Sequence, residues 1–72
     1  MQVDSNEIIF IREKAPKGFI RTVANNTGVD YQRVRTELYA LKKEYDDAIV
    51  NECRRLLKAM TGLVYNPNEV TA

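Results

Sequence analysis

A chain of 72 residues with 44% apolar and 29% charged side chains has room for one small hydrophobic core and is too apolar for general disorder. Its longest unbroken apolar run, Ile8 to Ile11, is far short of the roughly 20 residues of a membrane span, and nothing resembles a signal peptide, so the expected location is the cytoplasm. The net charge is only +1, yet residues 11–43 carry eight Lys or Arg against three acidic residues while the two ends are net acidic, and a basic middle points to a polyanionic partner.

Asp4 followed by Glu7 is a capping-box variant, and Ile8, Ile11 and Ala15 follow at helical spacing, which predicts a first helix from about Ser5 to Lys14. Pro16 disfavours helical geometry at Ala15, so the chain breaks there and restarts near Lys17 and Gly18. Phe19, Ile20, Val23 and Ala24 form the buried stripe of a second helix, which should stop at Asn26 or Thr27 ahead of Gly28. Asp30 is a good N-cap for a third helix over about 31–41, with Val34, Leu38, Leu41 and Tyr45 at helical spacing.

Asp46 and Asp47 mark the cap and first turn of a fourth helix, with a face of Ile49, Cys53, Leu56, Leu57 and Met60 and an end at Gly62. No Gly or Pro lies between residues 39 and 48, so the apolar series from Val34 to Met60 also suits one continuous helix able to pair as a coiled coil. The fold expected is all-α: a four-helix domain over residues 1–62 that contains a helix-turn-helix, followed by a short irregular tail over 63–72 with a turn at Asn66-Pro67-Asn68. Val23, Ala24, Val34, Leu38, Ile49, Cys53 and Leu56 should be buried. Leu63-Val64-Tyr65 suits either the monomer core or a dimer seam.

Residues 20–39 have the steric pattern of two helices crossing at a tight turn: small Ala24 at the crossing, Gly28 in the turn, and Val29 and Val34 packing back on Val23. On these positions the chain resembles the lambda-repressor-like helix-turn-helix family, including Cro-type regulators. The stretch from Lys14-Ala15-Pro16-Lys17-Gly18-Phe19-Ile20 to Thr27-Gly28-Val29 is similar to small phage regulators. It departs from that family at Glu37, where an apolar residue is usual, and at Tyr39-Ala40, where Asn-Gly often ends the recognition helix.

The resemblance implies that the third helix enters the major groove of double-stranded DNA, with Tyr31, Gln32, Arg33, Arg35 and Thr36 towards base edges. It implies phosphate contacts from Lys17 and Arg21, with Lys42 and Lys43 as further candidates, and a transcriptional regulator. The small core and the short site that one recognition helix can read point to a homodimer. The plainer possibilities are a solvated face in which Arg33 and Arg35 pair with Glu37, Tyr39 at the edge of the core, and Lys42 and Lys43 as ordinary surface. No small-molecule ligand, cofactor or metal is expected; with Cys53 the single cysteine and no histidine, there is no ligand set for a structural zinc. Nor is an enzyme expected, since no nucleophile, base and orienting group stand at a usable spacing. The alternative function is a helical protein-interaction module, such as a phage structural or adaptor protein.

Overall fold

Three of the four helices begin at an aspartate, because a carboxylate can accept the backbone N–H groups that a first helical turn leaves without partners. The computed structural model describes residues 2–40, 42 and 44–66. Asp4 opens α1 (Ser5–Lys14) by accepting from Asn6 N, Asp30 opens α3 (Tyr31–Tyr39) by accepting from Gln32 N, and Asp46 opens α4 (Asp47–Thr61) by accepting from Ala48 N and Ile49 N. The exception is α2 (Phe19–Thr27), whose cap is Gly18 at φ +82°, with no side chain to accept a bond. Here the expected restart at Lys17 is a turn in which Phe19 N donates to Pro16 O at 3.1 Å, and helical geometry begins at Phe19. Gly28, at φ +73°, closes α2 through a bond from its N–H to Ala24 O, so that Gly28, Val29 and Asp30 alone separate α2 from α3.

The expected all-helical domain is what forms; no strand occurs among the described residues, where Gln2 and Glu44 make an isolated antiparallel bridge. Nor is any described helix long and apolar enough to cross a membrane. α2 packs on α3 and α4, α1 packs on the same two helices, and one core lies between them. Val23, Ala24, Val34, Leu38, Ile49, Cys53 and Leu56 are all buried as expected, joined by Ile8, Ile11, Phe19, Val50 and Leu57. Met60 departs from the expected face: on the last turn of α4 it is 46% exposed.

The continuous helix does not form, and the reason is chemical. Glu37, the buried polar residue of the core region, accepts from Asp46 N at 2.9 Å and pairs with the Lys42 ammonium. The Tyr45 hydroxyl accepts from Lys42 N at 3.0 Å and donates to Ala40 O at 3.3 Å. These side chains take backbone groups that an uninterrupted helix would pair internally, and Ala40 is extended. The third helix therefore ends at Tyr39, short of the expected 31–41. Leu41, Lys43 and the tail beyond Asn66 lie outside the described residues.

If Glu37 holds this junction, Glu37→Ala leaves the Asp46 N–H without its acceptor and should cost about 1–3 kcal/mol. Lys42→Ala removes an ammonium that is 39% exposed and should cost about 0–1 kcal/mol. Urea denaturation midpoints of the two variants check the order.

Candidate nucleic-acid interface

The face of α3 is set by what it buries. Val34, Glu37 and Leu38 turn inward, and at about 100° per residue Gln32, Thr36 and Tyr39 fall on the opposite side, with Arg35 and Tyr31 on one flank and Arg33 on the other. All of these outward residues are exposed. The Thr36 hydroxyl donates to Gln32 O at 2.8 Å, so its oxygen still has acceptor capacity, while Gln32 offers a carboxamide and Arg35 a forked guanidinium. Asp30 aims the first turn by accepting from Gln32 N at 3.0 Å.

On the flank of Tyr31, towards the start of α2, the surface is basic. Lys17, Arg21, Arg12, Tyr31 and Tyr39 contribute to the lining of a depression of about 380 Å³ between the end of α1, the start of α2 and α3, and no acidic residue lines it. The Arg21 guanidinium lies 5.8 Å from the Tyr31 ring centroid, a cation–π contact that orders its side chain. The wall of the depression includes the start of α2, the one helix N-terminus without a side-chain cap. A helix N-terminus carries partial positive charge and inward-facing N–H donors, so Lys17 and Arg21 stand where an anion is favoured.

The remaining residues expected at the interface are placed differently. Arg33, with its side chain 61% exposed, donates to Asp46 Oδ2 at 3.1 Å on the flank towards α4, so its partner is Asp46 and not the expected Glu37. Lys42 is the ion-pair partner of buried Glu37, which neutralises its charge. Lys43 lies outside the described residues. Tyr39, expected at the core edge, is 54% exposed on the outer face of α3.

Sequence spacing missed one contributor that depends on long-range packing. Arg12 donates from Nη1 to Leu38 O at 3.3 Å, which brings the last turn of α1 to the end of α3. The Arg12 and Arg35 guanidinium carbons lie 5.4 and 5.3 Å from the Tyr39 ring centroid. Arg12 was legible only as a cation at the end of a helix, where it suits the dipole.

Away from this face, two further arginines are paired with carboxylates. Arg54 makes a bidentate contact with Glu7, with two N–O distances of 2.8 Å, joining α4 to α1. Hydrogen bonds from Arg55 and then Asn26 hold Glu52 below its usual carboxylate range. Tyr65 packs its ring 5.5 Å from that of Phe10 and donates to Asp4 Oδ2, whereas Leu63 and Val64 are 40% and 61% exposed. No group of three or more His, Cys, Asp or Glu among the described residues is placed to hold a metal ion. Comparison with known protein families, curated proteins and solved structures finds no match to this chain.

Cys53 supplies no nucleophile to any site: burial first, then the charges of Glu52 and Glu37, pushes its thiol up to about 12 from an ordinary 9.0. The folded state thus retains a proton that an unfolded chain loses above pH 9.0, so alkylation should be slow in the native protein. Iodoacetamide at pH about 8.5, close to the ordinary pKa of a free thiol, should label Cys53 readily in urea and hardly at all without it, as read by mass spectrometry.

Proposed function

We propose that this chain binds double-stranded DNA in a sequence-selective way, as a small transcriptional regulator whose α3 lies in the major groove. One observation carries this reading: the exposed face of α3, set by a three-residue turn after α2, presents Gln32, Arg35 and Thr36 beside a depression lined by Lys17 and Arg21 and by no acidic residue. A carboxamide pairs with adenine and a guanidinium with guanine at the groove edge, while cations on the border neutralise phosphates. The sequence resemblance to lambda-repressor-like regulators supports the same docking. Tyr31, held beside Arg21, sits at the boundary between groove and strand. Arg33 and Lys42 are already engaged by Asp46 and Glu37, which makes each a weaker candidate for a base or phosphate contact.

One short helix reads few base pairs, so the working unit in this proposal is a homodimer on an inverted repeat, its recognition helices about 34 Å apart. Met60, Leu63 and Val64 are the exposed apolar residues available for its seam. Sedimentation should report two chains per site on a selected duplex; a single chain, free and bound, contradicts the dimer.

The division between reading and positioning is testable by substitution. Arg35→Ala and Gln32→Ala should each cost about 1–3 kcal/mol on the preferred duplex and relax its sequence preference. Arg33→Ala should cost less. Lys17→Ala and Arg21→Ala should weaken preferred and random duplexes alike and lower the slope of log affinity against log salt by about one unit each. Titrations that find affinity unmoved by Arg35→Ala and Gln32→Ala at low salt would reject the groove assignment and favour a protein-interaction module.

A further inference from the structure

Two guanidiniums converge on one neutral ring where α3 ends. Arg12 and Arg35 come from different helices, both approach Tyr39 to within 5.4 Å of its centroid, and neither has an ion-pair partner among the described residues. Each cation–π contact is favourable, but two like charges gathered at one surface position repel each other. An anion bound there relieves the repulsion. Arg12 is also held: its bond to Leu38 O fixes the guanidinium across the α1–α3 junction and occupies one of five N–H donors, leaving the others for a ligand.

We infer that Arg12, positioned by the ring of Tyr39, is a further phosphate-binding residue that takes a phosphodiester of the strand bordering the groove. The inference rests on the duplex-DNA reading and adds to it a contact from α1. Arg12 and Tyr39 line the same depression as Lys17 and Arg21, so the basic border runs without an intervening carboxylate from the start of α2 to the end of α3. Tyr39 acts through its neighbours. Its ring orients the planar face of Arg12 and of Arg35, restricting both side chains before DNA arrives and lowering the entropy lost on binding.

The test uses the full chain with one preferred and one random duplex, each at a series of salt concentrations. Arg12→Ala should weaken both duplexes by the same factor and lower the log–log salt slope by about one unit, whereas Arg12→Lys, which keeps the charge, should keep the slope. Tyr39→Leu should lose affinity, and Tyr39→Phe, which restores the ring, should recover it. Wild-type binding with an unmoved slope in Arg12→Ala overturns the inference while leaving the duplex reading intact; wild-type protein that binds no duplex overturns both. If Arg12→Ala melts below the assay temperature, Tyr39→Leu at its surface position decides the question, and unchanged affinity there overturns the inference.

Discussion

A buried carboxylate between α3 and α4 sets the geometry on which the candidate interface depends. Glu37 is 4% exposed, on the inward face of α3 beside Val34 and Leu38. Burial of a carboxylate is costly unless its oxygens are bonded, and here the Asp46 N–H and the Lys42 ammonium satisfy them. The consequence is structural: Asp46 is brought to the place where it both caps α4 and holds Arg33, and α3 stops at Tyr39. Had the helix continued, the Lys42 N–H would bond Leu38 O, the carbonyl that here accepts from Arg12 Nη1.

The charge distribution follows the same division. Arg33, Lys42, Arg54 and Arg55 are each engaged by a carboxylate, and such pairs at a surface add little stability individually. Their larger effect is on the field. They neutralise one part of the molecule and leave Arg12, Lys17, Arg21 and Arg35 around the uncapped start of α2 and the outer face of α3, where two tyrosines order three of the four guanidiniums and ammoniums. A net charge of +1 therefore coexists with a locally basic surface.

Local chemistry made most of the fold legible in the sequence. Asp4, Asp30 and Asp46 all cap helices, Gly28 and Gly62 end them, and the stripes through Val34 and Leu38 and through Ile49, Cys53 and Leu56 are buried. Val50 was missed although Leu57 lies seven residues on, a spacing that returns it to the same face. What periodicity does not carry is a bond between distant side chains. The end of α3 depends on Glu37 reaching Asp46, the exposure of Tyr39 on where that end falls, and the role of Arg12 on a carbonyl 26 residues away. Tyr65 likewise looked equivalent to Leu63 and Val64, until its hydroxyl found Asp4 and its ring found Phe10.

Duplex recognition by the outer face of α3 is tested most directly by selection of bound duplexes by the full chain from a randomised pool at two salt concentrations. A short motif, arranged as an inverted repeat, should be enriched at both salts, and total retention should fall steeply as salt rises. A pool that is retained with no enriched motif, or not retained even at low salt, would contradict it.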